Sequence, residues 1–371
     1  MTVQARRTRK VEKLARIYDD EIAPCWGSRF ARLLLRNLAV PERGQVLDVS
    51  CGTGGPAIEI LRRMTDGSRL IAIDESSAML DAARRKVAAL GAVGKRVFFR
   101  TESAVPKLSF ADDVYDLVVC NLGVGDMPSV EVALRDFARV AKPGGEVRCT
   151  LPLAGTFEEF HDLYREVLVK HDKHDALDRL ELHVARYPSC EHAEACLAAA
   201  GLSGGIEVDE FSLLFRSARE FFFAPVIEYG PLADWKVVAG GGQDTQDVFW
   251  YIKEAIDAYF GDRPFQLTVK AGLVVGRKPP RPLDADALTA DSITTPVPLV
   301  DTDQDSPFDH IETGLPWPPR DIADGSVVED PGDAAIEELA SDEYSLEEES
   351  RADHELEALL AGRKRPHHRI D

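Results

Sequence analysis

Long apolar runs, paired cysteines and an excess of basic residues are all missing from this sequence. No stretch approaches the roughly 18 apolar residues of a membrane-spanning helix, and the N-terminal MTVQARRTRKVEK lacks the apolar centre of a signal peptide. The 6 cysteines form no C-x-x-C pair and fall mostly inside apolar stretches, which favours free thiols in a reducing compartment. We therefore expect a cytoplasmic protein with no membrane span.

Basic residues are outnumbered by acidic ones, at 44 Lys and Arg against 64 Asp and Glu. Residues 280–371 hold 24 of the acidic residues and only 7 of the basic ones, so most of the formal net charge of −20 lies at the C-terminal end. A surface that binds nucleic acid needs clustered Lys and Arg, and no such cluster stands out elsewhere in the chain. We expect no nucleic-acid partner.

The composition changes at residue 280, from where proline, aspartate, serine and threonine dominate. Such a segment has too little apolar surface to offset the entropy of ordering, which predicts a disordered acidic tail. Two islands within it, at 316–320 and 346–360, are candidate docking segments for a protein partner, and a merely solubilising tail is the alternative. We divide the chain into cap helices (1–40), a core (41–153), lid helices and final strands of the same domain (154–279), and the tail (280–371).

The most informative stretch is VLDVSCGTGGPAIEIL at 46–61, where a short apolar run passes through glycines into a helical pattern. This pattern predicts a strand, a tight turn and a helix, with Gly52 and Gly54 allowing a ligand to approach the backbone at the helix N-terminus. A second apolar run, 70–73, ends in Asp74, from where a carboxylate can accept both hydroxyls of a ribose. A cofactor of nucleotide type is expected.

Asp48 distinguishes two kinds of cofactor. Gly52, Gly54 and Ala57 also satisfy the loose dinucleotide fingerprint, but a carboxylate at the end of the first strand would repel a pyrophosphate and attract a cation. S-adenosylmethionine carries a sulfonium, an ammonium and no phosphate, so it fits better. A purely structural role stays open for each residue, because glycine turns and helix-capping acids occur wherever a strand turns into a helix.

The segment DVSCGTG at 48–54, followed by IDESSAML at 73–80, resembles the class I S-adenosylmethionine-dependent methyltransferases, most closely the small-molecule group that includes the ubiquinone and menaquinone biosynthesis enzymes. Further matches follow in the family's order: the pair Glu102-Ser103, the fourth-strand segment 115–122, and ALRDFARVAKPGGEV at 133–147. The segment between Glu102 and Asp116 is longer than usual for the family. The resemblance is strong over 45–150.

The resemblance implies S-adenosylmethionine as the cofactor and methyl transfer to a small-molecule acceptor as the activity. It also implies that Glu102 accepts from the adenine amino group, that the end of 115–122 lies beside the methionine portion, and that the Tyr18-Asp19 pair covers the cofactor. The cofactor-binding residues expected on this basis are Tyr18, Asp48, Ser50, Gly52, Thr53, Gly54, Asp74, Glu75, Glu102, Ser103, Asn121 and Leu122.

Strands and helices alternate between 45 and 150, which predicts an α/β fold with a parallel sheet, helices on both faces and ligands at the carboxyl ends of the strands. The expected strands are 45–49, 69–73, 96–100, 115–120 and 145–151. Beyond 152 we expect lid helices at 156–185 and 189–200, a strand at 206–215, more helix to about 259 and a strand at 266–276. With the resemblance, this gives a Rossmann-like, doubly wound, seven-stranded sheet with an antiparallel last strand, helical lid insertions and a disordered acidic C-terminal tail.

The residues that would do chemistry are harder to find. No metal is expected, since His171 and His174 lie in HDKHD, a pattern typical of a solvated charged segment. Asp126, His161 and His183 are candidate general bases, and no spacing selects one of them, so the catalytic residues stay unknown. Phenylalanines between 211 and 223, with Tyr229 and Trp235, are either core or the wall of an acceptor pocket.

Two other functions stay open. One is a methyltransferase-like protein that binds S-adenosylmethionine for regulation or scaffolding with little turnover. The other is a nicotinamide-dependent reductase, which the carboxylate at Asp48 and the antiparallel last strand both disfavour.

Overall fold

A seven-stranded mixed sheet in the order β3-β2-β1-β4-β5-β7-β6 forms the centre of this protein. The computed structural model describes the backbone of residues 3–261 and 263–281, and the side chains from residue 9 onwards. The predicted tail and both of its candidate docking segments lie outside the described residues, apart from residues 280 and 281. Seven strands account for the sheet: β1 (Arg43–Val49), β2 (Gly67–Asp74), β3 (Val97–Thr101), β4 (Tyr115–Asn121), β5 (Ala141–Pro152), β6 (Ser203–Phe215) and β7 (Phe265–Arg277).

The first five strands are parallel to one another, and β7 is antiparallel to both of its neighbours, β5 and β6. Short connections place helices across the faces of the sheet, as expected for parallel strands that need crossover helices. The chain reverses its direction of strand addition between β3 and β4, so the carboxyl ends of β1 and β4 flank the crevice in which ligands of such sheets bind. The predicted Rossmann-like fold with an antiparallel last strand is confirmed.

Several of the described helices begin directly after a serine that caps them. Ser76, Ser129 and Ser189 each accept a backbone N–H of the first turn of the following helix, which satisfies one of its unpaired donors. The helices are α1 (Val3–Ile17), α2 (Gly27–Leu34), α3 (Gly55–Arg63), α4 (Ser77–Ala88), α5 (Val130–Val140), α6 (Glu158–Lys170), α7 (His174–Val184), α8 (Cys190–Ala199), α9 (Ala218–Phe223), α10 (Pro225–Glu228), α11 (Leu232–Ala239) and α12 (Gln243–Phe260).

Three local features differ from the sequence-based expectation. The predicted helix 156–185 is two helices, α6 and α7, because Asp172 adopts a left-handed conformation (φ 56°) between them. Residues 142–145, whose Lys-Pro-Gly-Gly sequence is typical of a turn before the strand expected at 145–151, are part of β5, as an irregularity in its pairing with β4 at which Gly144 has φ 82°. The first helix ends in a π-helical turn, Tyr18–Ile22.

The aromatic residues of the lid region belong mainly to the core. Phe221, Phe222 and Trp235 are at most 1% exposed and pack with Phe160 and Phe265. Tyr229 is the exception in this group, since it is 45% exposed. Among the described residues, no helix combines the length and the apolar character needed to cross a membrane.

The last described residues are tied to the sheet. The main chain of Lys278 pairs with Gly144 and Gly145, and its Nζ donates to Asp113 Oδ1 (2.7 Å) and to the carbonyl of Ala141 (2.9 Å). Arg281 donates to the second oxygen of Asp113 at 2.6 Å. The folded unit therefore extends at least to Arg281, slightly beyond the predicted boundary at 279.

We predict that a shortened protein ending at Arg281 unfolds within a few degrees of the full chain, whereas one ending at Gly276 unfolds about 5–10 °C lower. The second cut removes hydrogen bonds that contribute roughly 2–4 kcal/mol in total, and about 1 kcal/mol corresponds to roughly 2–4 °C for a domain of this size. Thermal unfolding followed by circular dichroism measures both. Failure of the longer version to fold would mean that residues after Arg281 complete the core.

Candidate functional site

A cavity of about 650 Å³ opens at the carboxyl ends of β1, β2 and β4. Its floor includes Ser50 and Gly52 after β1, Asp74 and Glu75 after β2, and Asn121 and Leu122 after β4. Its cover comes from the N-terminal cap and from the lid helices. Nine of the expected cofactor-binding residues line this cavity: Tyr18, Ser50, Gly52, Asp74, Glu75, Glu102, Ser103, Asn121 and Leu122.

Gly52 and Gly54, the two central glycines of the turn after β1, have different structural roles. Both have positive φ, 54° at Gly52 and 82° at Gly54, which favours glycine at each position. A Cβ added at Gly54 would lie 2.9 Å from the Cβ of Ala83, so this glycine allows α3 and α4 to pack closely. A Cβ at Gly52 would meet only the ring of Tyr18, at 3.7 Å. The backbone open to a ligand is therefore at Gly52.

Asp74 ties the glycine turn to the end of β2. Its Oδ2 accepts from the N–H of Gly52 at 2.8 Å, and its Oδ1 accepts from the N–H of Ser76 at 2.9 Å. Burial raises the pKa of this carboxyl, and these two hydrogen bonds oppose that rise. An ionised carboxylate has about four lone-pair positions, so two remain available to hydroxyl donors in the cavity.

Asp48 is placed differently from the expectation. It is fully buried below the turn, does not line the cavity, and neither of its side-chain oxygens has a hydrogen-bond partner among the described residues. Burial, with a smaller effect from Asp74, raises its pKa to about 8. Attraction of a cationic ligand requires an ionised carboxylate, whereas a group with this pKa is mostly protonated at pH 7.

The π-helical turn closes over the glycine turn through Asp19. Its Oδ1 accepts from Thr53 Oγ1 and from Lys86 Nζ, both at 2.6 Å. Thr53 is 3% exposed and lines a smaller neighbouring cavity of about 160 Å³. Tyr18 lies on the cavity side, and burial together with Asp74, Asp19 and Asp126 raises its pKa to about 12. Tyr18 therefore stays neutral and covers the turn.

The remaining expected residues form two further walls. Glu102 accepts from the N–H of Ser109 at 3.0 Å, and its carboxylate lies 2.8 Å from Arg100 Nε. These two contacts hold the segment after β3, which also carries Ser103. Asn121 donates to the carbonyl of Gly27 and accepts from Thr150, so it joins α2 to the sheet. Leu122 has φ 72° and turns the chain along the cavity.

The cavity is acidic. Five carboxylic residues line it, and none of the described residues along its wall is a lysine or an arginine: the acidic ones are Asp74, Glu75, Glu102, Asp126 and Asp234. A pyrophosphate would be repelled here, and a ligand with positive groups would be attracted. The electrostatic distinction expected from Asp48 is thus provided by the carboxylates of the wall.

The lid side of the cavity was foreseen from the sequence only at Tyr229 and His183. Trp26, Phe157, Tyr187 and Tyr229 supply flat apolar surface there, and His183 and Asp234 supply polar groups. These residues come from distant segments with no shared motif, so only their packing brings them together. Of the candidate general bases, Asp126 and His183 line the cavity, whereas His161 is 1% exposed and does not.

The histidines of HDKHD lie away from this cavity. The ring of His171 stacks on Tyr251 with centroids 3.5 Å apart, and His174 is exposed. Among the described residues, no group of three or more His, Cys, Asp or Glu is arranged to hold a metal ion.

We predict that Asp48→Asn stabilises the protein increasingly as the pH rises from 5 to 9. The folded-state pKa lies above the usual 3.8, so the stability that protonated Asp48 contributes is lost as the pH rises through about 8. The amide cannot ionise, so the gain in unfolding free energy should grow by at least about 1 kcal/mol across this range. Urea unfolding at pH 5, 7 and 9 measures it, with the exposed Asp66→Asn as control. Parallel profiles for Asp48→Asn and wild type would contradict the raised pKa.

Similarity to known proteins agrees with this geometry. A family of methyltransferase domains matches residues 46–145. The ubiquinone/menaquinone biosynthesis C-methyltransferase UbiE of Geotalea daltonii is 27% identical over 213 residues, which cover 52% of this chain and 89% of that protein. A demethylmenaquinone methyltransferase of Halalkalibacterium halodurans is 33% identical, over 35% of this chain and 52% of that protein.

Among solved structures, the YcgJ protein of Bacillus subtilis superposes with a TM-score of 0.46 at 19% identity, covering 68% of this chain and 99% of that one. The methyltransferase-domain match at 46–145 covers most of β1 and all of β2, β3 and β4, together with the glycine turn and Asp74. These elements form the floor of the acidic cavity. Residues 46–145 therefore form a class I S-adenosylmethionine-dependent methyltransferase domain, and the chain is similar to the ubiquinone and menaquinone C-methyltransferases.

Proposed function

We propose that this protein transfers a methyl group by in-line displacement to a small apolar acceptor bound on the lid side of the cavity, mainly through proximity and alignment. When bound, S-adenosylmethionine supplies a methyl group already activated on a sulfonium. The observation that carries the proposal is that one cavity of about 650 Å³ joins the strand ends to the lid. A single space of this size is within the range of small-molecule sites and accommodates two ligands side by side.

We assign the cofactor to the floor of the cavity. Asp74 has free lone pairs for the two ribose hydroxyls, and the open backbone at Gly52 suits the methionine portion. Glu102 and Ser103 form the wall for the adenine, and Tyr18 covers the ligand. Three expected residues lie behind the wall: Gly54 allows the close packing of the turn, Thr53 holds the cap through Asp19, and Asp48 is buried beneath the turn.

The acceptor should be flat and apolar. Trp26, Phe157, Tyr187 and Tyr229 line the lid side, and aromatic walls favour rings or other planar groups. The names of the two curated relatives refer to ubiquinone, menaquinone and demethylmenaquinone. Reduced quinones are accordingly the first acceptors to test.

The wider organisation follows the sequence-based expectations. We propose that 1–40, 41–153 and 154–279 form one catalytic domain in the cytoplasm, which the 6 free cysteines support, 4 of them buried. Nucleic acid is not a proposed partner. If a protein partner exists, the segment 280–371 is the proposed place of contact because most of the net charge lies there.

The decisive experiment measures binding and turnover separately. We expect calorimetry to show one site for S-adenosylmethionine, and mass spectrometry to show a product 14 mass units (about one CH₂) heavier with at least one acceptor from a panel of reduced quinones and apolar phenols. Binding without turnover on the whole panel would favour the alternative, a regulatory or scaffolding protein. Preferential binding of NADH would overturn the assignment altogether.

We predict that Asp74→Ala weakens S-adenosylmethionine binding at least tenfold. Charge-assisted hydrogen bonds contribute roughly 1.5–3 kcal/mol each, and two of them to the ribose are lost. The dissociation constant from calorimetry measures the effect. Asp74→Asn keeps the shape of the side chain and separates loss of charge from distortion of the turn.

Asp81→Ala is the matched control for Asp74→Ala, because Asp81 lies on the next helix, is 59% exposed and pairs only with Arg84 among the described residues. We expect Asp81→Ala to bind S-adenosylmethionine with the affinity of the wild type. An unchanged dissociation constant in both Asp74 variants would remove Asp74 from the cofactor site.

A further inference from the structure

Three polar side chains from the end of α7 and from α11 meet on the lid side of the cavity: His183, Tyr187 and Asp234. They stand among aromatic and apolar residues, where a buried polar group is costly unless it has a hydrogen-bond partner. Arg186 donates to Asp234 Oδ2 at 3.2 Å, in an exposed ion pair at the mouth of the cavity.

The distance between His183 and Asp234 leaves room for a third group. His183 Nδ1 and Asp234 Oδ2 are 4.0 Å apart, too far for a direct hydrogen bond. A hydroxyl of a bound acceptor can still lie about 2.8 Å from Nδ1, the normal length of a hydrogen bond, and donate its one proton to this nitrogen. The carboxylate of Asp234 is then close enough to favour the charged form of the imidazole.

His183 is 8% exposed, and its Nε2 is buried without a hydrogen-bond partner among the described residues. Nδ1 is accordingly the nitrogen that a hydroxyl of the methyl acceptor can reach. The groups that face the ring are Asp234 from α11, His161 from α6, and Arg186 and Tyr187 that follow α7. Burial lowers the pKa of His183, with Asp234 opposing and Arg186 reinforcing the effect, so the imidazole is neutral at pH 7 and can accept a proton.

The other candidate bases are less suitable. His161 does not line the cavity, and burial with nearby His183 and Arg165 lowers its pKa to about 3, which makes it a poor proton acceptor. Asp126 lies beside Glu75 and Asp74, at the end assigned to the cofactor and away from the lid side. His183 is the basic group on the lid side.

We propose that His183 is a catalytic residue that takes the proton of an acceptor hydroxyl at Nδ1, and that Asp234 is a positioning residue that acts through His183, because its carboxylate lies 4.0 Å from Nδ1 and stabilises the imidazolium that forms. The inference rests on the proposed function and deepens it, because it requires an acceptor with an ionisable hydroxyl. The acceptor O–H bond breaks and its proton moves to Nδ1. The methyl carbon bonds to the acceptor as the carbon–sulfur bond breaks, and that electron pair stays on sulfur. His183 then releases the proton to water at the mouth, beside Asp234, whose side chain is 52% exposed.

A binding experiment tests this without turnover. Protein saturated with S-adenosylhomocysteine is titrated with 1-naphthol and with its methyl ether, 1-methoxynaphthalene, by calorimetry. We expect the wild type to bind the phenol at least about tenfold more tightly, the factor of one good hydrogen bond. His183→Phe should erase this preference. His174→Phe, at an exposed histidine of the same helix, should leave it unchanged.

A second variant separates proton transfer from binding. His183→Gln keeps a neutral hydrogen-bonding group, so it should retain part of the preference for the phenol. It cannot take up a proton, so kcat with an acceptor that the wild type methylates should fall roughly 10²- to 10⁴-fold, with KM for S-adenosylmethionine unchanged. The acidic limb of the wild-type kcat/KM profile should lie below pH 6.5 and should vanish in His183→Gln. Asp234→Asn should move the acidic limb of the kcat/KM profile to lower pH, because the carboxylate raises the pKa of His183.

The outcomes distinguish this inference from the proposed function. No binding of S-adenosylhomocysteine by the wild type would overturn the proposed function itself. Normal binding of S-adenosylhomocysteine with equal affinity for the phenol and its ether, or with no affinity for either, would overturn only the role of His183. The role of His183 would also be overturned if a folded His183→Phe variant kept the preference for the phenol, or if His183→Gln had an unchanged kcat.

Discussion

The hydrogen bond from the backbone N–H of Gly52 to the carboxylate of Asp74 joins the ends of two neighbouring parallel strands, and the ligand site depends on it. It holds the turn after β1 in a left-handed conformation while Asp74 also caps the chain at Ser76. The same carboxylate keeps two lone-pair positions directed to other donors. One side chain thus shapes the turn and provides the recognition group, so the geometry of the floor is set before any ligand arrives.

Electrostatics then selects the kind of ligand. The carboxylates around the cavity have no basic counterpart among the described residues of its wall, which favours a cationic cofactor over a phosphate-bearing one. Asp48 contributes little to this field because burial keeps it mostly protonated near neutral pH. Its role is structural, at a cost in stability that grows with pH. The charge that matters lies on the surface of the cavity rather than beneath it.

The lid divides its residues between stability and function. Phe160, Phe221 and Trp235 form a fully buried aromatic core, so the lid helices are rigidly packed against the sheet. His183 and Asp234 belong to two of these packed helices and line the cavity. Rigid support of this kind suits a reaction that depends on alignment, since a small misplacement of the acceptor would lower the rate considerably.

The sequence by itself determined the parallel half of the sheet and its ligand-binding turn, because short apolar runs, glycines and strand-ending acids are local signals. Gly52, Asp74 and Glu102 lie where these signals place them. Only the tertiary structure decided that Asp48 is buried and largely uncharged, that Gly54 serves the packing of α3 against α4, and that His183 stands 4.0 Å from Asp234. Burial and distance between remote segments arise from packing of the whole chain, and no local pattern of residues encodes them.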